Sequence, residues 1–429
     1  MKKILLYIVL TLILVACSDE IPEHHQPVRA KRAVLAYMVA NNNLDGDIMQ
    51  NIRWMYESLS TAKDTCTLVI YYKPSGNNQY IETPEILEFT TDGYGRINGQ
   101  TILSGSSLTT ENVISQAIHH QASIGIATDP FIMAENLRMM QDIAQAESYG
   151  LILGSHASGW LPSPNAISTF SFGWDGKQSN TIDIPQLAST LEESFPENNL
   201  DFTLFDACMM GTAEVFYELR NATHYCIASV METPVAGFPY NRFFTGLYDN
   251  DIDYAKVCDE TVQYNKENRW WGTYATVDCT AMENVAQAIK AELKEHQSEL
   301  STLDYTQIQQ YGYGEYKNFS FDLLDFIKQL NGGTIPATVE NSLSQAVVAK
   351  NCLNGEEYPF VTLKIDATRY CGMACISPAD KLNLHGINIA SHPLHGTMLP
   401  GGMKYSHNTI SRPSSVQALM MEVYVHFVQ

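Results

Sequence analysis

Two short runs carry residues from which hydrolytic chemistry can be built. Leu200 to Asp206 is an apolar, strand-like run that ends on Asp206-Ala207-Cys208. Tyr149 to Gly154 is another, followed by Ser155-His156-Ala157-Ser158-Gly159-Trp160. A thiol attacks only as its thiolate, and a neighbouring imidazole can take its proton and later return one to a leaving amine. A His and a Cys, each just past an apolar strand, therefore form a candidate nucleophile and proton-transfer pair. The backbone N–H groups of Cys208 and of the turn after His156, at Ala157, are the natural donors for a tetrahedral oxyanion. Taken singly, Cys208 reads as a buried thiol, His156 as a hydrogen-bonded structural imidazole and Asp206 as a helix cap. Their joint occurrence, each at the end of an apolar run, is what points to chemistry.

The elements that must hold these residues alternate. Ala33 to Ala40 and Thr67 to Tyr72 read as buried strands, with a helix through Met49, Ile52, Met55 and Leu59 between them. Residues 84–104 carry hairpin signals at Asp92-Gly93 and Asn98-Gly99. Thr110 to Gln145 has helical spacing, in two pieces broken near Asp129-Pro130. Residues 161–183 read as an exposed loop, and Asp183 with Pro185 starts a helix that runs to Phe195. A helix from Met209 to about Leu219 is expected to lend its dipole to Cys208, and Tyr225 to Val230 is the next strand. The alternation argues for a three-layer αβα sandwich on a mostly parallel sheet over residues 32–250. Residues 251–429 are expected to form a smaller C-terminal α+β subdomain, with strands at 274–278, 360–365 and 373–376 and helices at 282–300 and 321–330. Asn41-x-Asn43-x-Asp45-Gly46 faintly mimics a calcium loop, but Ile52 stands where the closing Glu belongs, so it reads as a turn that caps the following helix.

Composition narrows the partners and the address. The chain has 429 residues and a formal net charge of −21, which argues against nucleic acid and favours basic ligands. Lys2 and Lys3 precede an apolar run from Ile4 to Leu14, and Leu14-Val15-Ala16-Cys17 resembles a bacterial lipobox. That resemblance implies a signal peptide over 1–16, lipidation of Cys17, a tether over 17–31 and a membrane partner through the anchor. An ordinary signal peptide with a chance Cys is the alternative. The acidic Ser18-Asp19-Glu20 resembles the surface-export signals of Bacteroides-group lipoproteins, which implies a cell-envelope location at the outer membrane or cell surface. Seven further cysteines show no framework spacing, and Cys371-x-x-x-Cys375 has no partner pair for zinc, so neither disulfides nor a metal is expected.

Asp206-Ala207-Cys208-Met209-Met210-Gly211, followed by Glu214-Val215 and Tyr217-Glu218-Leu219, resembles the Cys motif of the clostripain family of caspase-like cysteine peptidases. Ser155-His156 with Ser158-Gly159-Trp160 resembles its His motif. Tyr37 to Leu44, Gly237-x-Pro239-Tyr240 and Asp322-Leu323-x-Asp325-Phe326 are supporting matches. The resemblance implies an endopeptidase with Cys208 as nucleophile and His156 as its partner, cleaving peptide or protein substrates after Arg or Lys. It implies an acidic S1 wall, which Asp206 matches and to which Glu232 is a second candidate. A carboxylate there would pair with guanidinium or ammonium. Self-cleavage in the loop after the His strand is implied too, and Lys177 is the basic residue between His156 and Cys208. Calcium dependence is a family trait for which no site is legible here; no other cofactor is expected. Ala157 stands where the family has Gly, a change that matters if the turn needs a positive φ. Two rival readings remain open: an inactive surface lipoprotein that binds basic peptides, and a caspase-like enzyme of other specificity with Asp206 buried as structure.

Overall fold

The computed structural model describes residues 30–160, 171–312, 320–355 and 363–376. Its centre is an eleven-stranded sheet. Strand β1 (Ala30–Val39) lies between β2 (Cys66–Lys73) and β7 (Ala146–Gly154), and is parallel to both. Beyond β7 come β10 (Leu200–Asp206) and β11 (Tyr225–Ala228), again parallel. The parallel centre is thus β11-β10-β7-β1-β2. Antiparallel strands flank it. On one side are β3 (Glu85–Thr91) and the short β4 (Arg96–Ile97), β5 (Gln100–Thr101) and β6 (Ile118–Gln121). On the other are β12 (Thr273–Asp278) and β14 (Val347–Cys352).

Near-continuous apolar runs suit strands covered on both faces, and β1 shows how the two layers divide. Leu35, Tyr37 and Val39 face one core with Met133, Leu137, Leu187, Leu191 and Ile289. Val34, Ala36 and Met38 face the other with Ile52, Met55, Tyr56, Phe244 and Val257. The first layer of helices comprises Pro130–Ile143, Ile184–Ser194 and Met282–Glu295; the second holds Asp45–Leu59 and Tyr254–Glu267. Local chemistry fixes the starts of the first two. Asp129 and Asp183 accept from the first-turn N–H groups of Phe131 and Gln186, and Pro130 and Pro185 sit where no backbone donor is needed.

The structure departs from the sequence expectations at several points. The 110–145 stretch is a helix at Thr110–Gln116, then strand β6 against β3, and only then the helix from Pro130. Residues 171–183 are not an exposed loop: β8 (Ser171–Phe172) pairs with β9 (Ile182–Asp183), and Phe172, Asp175 and Ile182 are buried. Residues 161–170 lie outside the described residues. Leu363 to Ile365 carry no strand, whereas β15 (Ala374–Ile376) pairs with β13 (Ser320–Asp322). The sheet runs through the boundary expected after residue 250, because β12 and β14 extend it past β11. Strand β1 begins at Ala30, inside the expected tether. Cys17 and the rest of the N-terminal segment up to residue 29 lie outside the described residues, as do residues 377–429.

Candidate functional site

Strands β7 and β10 are neighbours, with Gly154 opposite Asp206, and the Ser155 N–H donates to the Asp206 carbonyl at 3.3 Å. His156 and Cys208 each lie two residues beyond that registered pair, at the carboxyl ends of parallel strands where open α/β sheets bind ligands. Both line one cleft of about 390 Å³, together with Asp206, Ala207 and Ser155. Glu232, Thr233, Pro234 and Val235 line it too, and Leu44, Ile48, Trp270 and Trp271 add apolar side chains.

The loop after β10 corrects one expectation. The helix does not start at Met209: it spans Ala213–Glu218, with Thr212 as its N-cap. The reason is local. Met209 has φ of 59°, outside the helical region, and the Met209 and Gly211 N–H groups donate to the carbonyls of Met231 and Ser229 at 2.9 and 2.8 Å. Residues 209–211 are thus bound alongside the segment that follows β11. Cys208 is therefore not at a helix N-terminus. Burial and the Glu232 carboxylate push its thiol up to about 12. The Thr233 carbonyl, 3.9 Å from Sγ, is its hydrogen-bond acceptor. Burial also lowers His156 from the usual imidazole value. Both shifts favour the uncharged forms, a thiol and a neutral imidazole, near neutral pH.

The imidazole is held on two sides. Its Nε2 lies 2.8 Å from Asn43 Oδ1, and its ring packs 4.7 Å from the Trp174 ring. Asn43 comes from the Asn41-Asn42-Asn43 turn at the end of β1. Sequence reasoning saw that turn only as a helix cap. In the structure the Asp45 carboxylate of that stretch accepts from Tyr72, Ser75 and Asn78.

Ala157 is free of the expected strain. It is not among the described residues with positive φ; the left-handed position is Gly159, at 57°. A Cβ on Gly159 would stand 2.0 Å from the Met209 carbonyl oxygen, so this glycine lets the His loop press against the Cys loop. Ala157 bridges to Phe172 through its neighbours: the Ser158 and Gly173 N–H groups donate to the carbonyls of Ser171 and His156. Its own N–H is left out of that bridge.

Asp206 reaches into the cleft from the end of β10. Its Oδ2 accepts from the Tyr240 hydroxyl at 2.9 Å and from the Phe238 N–H at 3.5 Å. Gly237, at φ of 64°, closes over it, and a Cβ there would come within 2.4 Å of Oδ1. Burial raises the Asp206 carboxyl to about 6, against the opposing pull of those two donors. Glu232 also lines the cleft, and its backbone carbonyl accepts from the Trp271 indole at 2.6 Å. Lys177 is elsewhere, exposed on a turn in which the Asn180 N–H donates to the Lys177 carbonyl at 2.9 Å. The two tryptophans and the Asn43 contact were missed in the sequence. The Trp270-Trp271 pair, between a polar helix and a strand, was the available signal.

Known proteins share the sequence pattern and the fold. Clostripain from Hathewaya histolytica is 26% identical over 227 residues, a match that covers 50% of this chain and 41% of that protein's length. The crystal structure of an inactive zymogen C11 protease from Parabacteroides distasonis shares the fold with a TM-score of 0.64 at 24% identity, covering 83% of this chain and 94% of that one. A secreted C11 cysteine protease from Bacteroides thetaiotaomicron superposes with a TM-score of 0.64 at 21% identity, over 82% of this chain and 95% of that one. The clostripain-family model matches residues 36–351, so this chain, whose strand-end Cys and His line one cleft, belongs to the clostripain family of C11 cysteine peptidases.

Proposed function

We propose that the protein is a lipid-anchored cysteine endopeptidase of the cell envelope that cleaves peptides and proteins after Arg or Lys. The observation that carries the reading is the shared cleft of Cys208, His156 and Asp206 at the ends of two paired strands. Cys208 Sγ attacks the scissile carbonyl carbon as its proton passes to His156. The oxyanion is met by the N–H groups of Cys208 and Ala157. The tetrahedral adduct collapses, the imidazolium protonates the departing amine, and water then hydrolyses the thioester with His156 as base. The substrate's cationic side chain enters beside Asp206, with Glu232 as a further carboxylate that lines the same cleft. Lys177 is the proposed self-cleavage site, and its turn must open before the chain can lie extended in a cleft. Cys17 carries the anchor, which incorporation of a labelled fatty acid, lost in Cys17→Ala, would report.

A peptidyl-Arg chloromethylketone tests the core of this reading. It is expected to alkylate Cys208 in the intact protein, to abolish cleavage of Arg and Lys peptides, and to leave Cys208→Ala unlabelled. An unreactive thiol with retained affinity for basic peptides would instead identify a binding protein. A cut after Lys177 that persists in Cys208→Ala would refute self-processing.

A further inference from the structure

We propose that Asn43 is a positioning residue that fixes the tautomer of His156, leaving Nδ1 as the nitrogen that receives the thiol proton. The inference rests on the reading of His156 and Cys208 as the reacting pair. The turn that carries Asn43 is anchored at several points. Asn41 Nδ2 donates to Asp175 Oδ1 at 2.6 Å. Asn42 Nδ2 donates to the carbonyls of Val39 and Trp174 at 3.0 and 2.8 Å, and Asn42 Oδ1 accepts from the Leu44 N–H at 2.9 Å. Asp175, itself buried, accepts from the Ala127 N–H and lies 3.6 Å from the Lys73 ammonium. The last residue of the asparagine triplet is therefore held in place by the first two, and it puts Oδ1 at 2.8 Å from His156 Nε2.

An amide oxygen only accepts, so the proton of this bond resides on Nε2. A neutral imidazole with Nε2–H has its lone pair on Nδ1. Trp174 packs against the ring and limits its rotation. When the thiol proton arrives at Nδ1, the ring becomes an imidazolium whose Nε2–H bond to Asn43 strengthens, because hydrogen bonds from a charged donor are the stronger kind. Asn43 thus acts on the proton transfer through His156 and touches no reacting atom. Its side chain is exposed, so its removal should leave the fold intact.

The test compares Asn43→Ala and Asn43→Asp with the wild-type full chain, reading kcat and KM on an Arg peptide through the pH range where imidazoles titrate. Asn43→Ala is expected to lose about ten- to a hundredfold in kcat, a part of what general-base catalysis contributes, with little change in KM. Asn43→Asp keeps an acceptor in place and should recover most of that loss. Its anion also stabilises the imidazolium, so the acid limb of kcat should move to higher pH by about one unit. The other carboxylates that line the cleft, Asp206 and Glu232, are common to all three proteins. Carbon-13 NMR of histidine Cδ2 reads the tautomer without turnover, and His156 should be in the Nε2–H form in the wild type and lose that preference in Asn43→Ala. Wild-type kcat with an unmoved acid limb in Asn43→Ala, or an Nδ1–H wild-type ring, overturns the proposal. Retained turnover in Cys208→Ala would instead sink the peptidase reading, while the NMR measurement still judges Asn43 alone.

Discussion

At the scale of single residues, Asp206 is held between opposing influences on its charge. Burial favours its neutral form, and the Tyr240 hydroxyl and Phe238 N–H favour the carboxylate; the balance leaves it titrating at about 6. A bound guanidinium would lower that value, because an opposite charge within contact distance stabilises the ionised form. On the proposed reading, the KM for Arg peptides should therefore rise as pH falls below about 6, as the free enzyme's carboxyl takes up a proton. Asp206→Asn should remove this dependence and cut the preference for Arg over Leu at the cleavage position by roughly a hundredfold, in the range measured when one partner of a desolvated charge pair is removed. Fluorogenic peptides that differ only at that position provide the measurement. A preference unchanged in Asp206→Asn would make this carboxylate a structural partner of Tyr240 and move the specificity elsewhere. The same residue shows the limit of reading by motif. The sequence offered an acidic residue two before the Cys, but not the cover made by Gly237, Phe238 and Tyr240, which arrives from a loop some thirty residues on.

At the scale of elements, the site is a contact between two loops. The strands that carry them were legible because apolar runs such as Tyr149 to Gly154 and Leu200 to Asp206 have one physical explanation, burial in a parallel sheet. The loops were less so. Met209 and Met210 look like good helix formers, yet the backbone at 209–211 pairs with residues 229–231, a long-range contact that local propensity does not contain. For the same reason β6, a stretch of Ile-His-His-Gln, read as helix until β3 was there to pair with it. Gly159 is the hinge of this arrangement. With φ of 57° and no room for a Cβ against the Met209 carbonyl, Gly159→Ala must push the two loops apart or change their backbone. We expect a loss of about 1–3 kcal/mol in stability, the usual cost of an incompatible backbone at such a position. Activity should fall by a larger factor than that cost explains, because a displacement of about 1 Å at reacting groups costs on the order of a hundredfold in rate. Thermal unfolding measured beside kcat separates the two effects. A variant that loses stability but keeps kcat would show that the loops need not touch for the chemistry.

At the scale of the whole molecule, charge is the property with functional reach. The chain carries 47 acidic against 26 basic residues, and the cleft is lined by Asp206 and Glu232 with no Lys or Arg among its described lining residues. Net charge alone keeps a protein soluble and says little about its substrates. On the proposed reading an acidic cleft in an acidic chain does more, because low-dielectric walls focus the field and concentrate counter-charged ligands at the mouth. The two roles separate under salt. Focusing acts over distances comparable with the Debye length, about 10 Å at 0.1 M ionic strength and about 3 Å at 1 M. A substrate with several cationic residues should therefore lose kcat/KM severalfold between low and high salt, chiefly through KM. On the proposed reading, a peptide whose single Arg sits at the cleavage position, flanked by neutral residues, should lose much less, since its one charge would pair with Asp206 at contact distance in a desolvated pocket where screening is weak. Equal salt dependence for the two peptides would mean that the surface field plays no part in capture, and that selection for basic substrates rests on the Asp206 pocket alone.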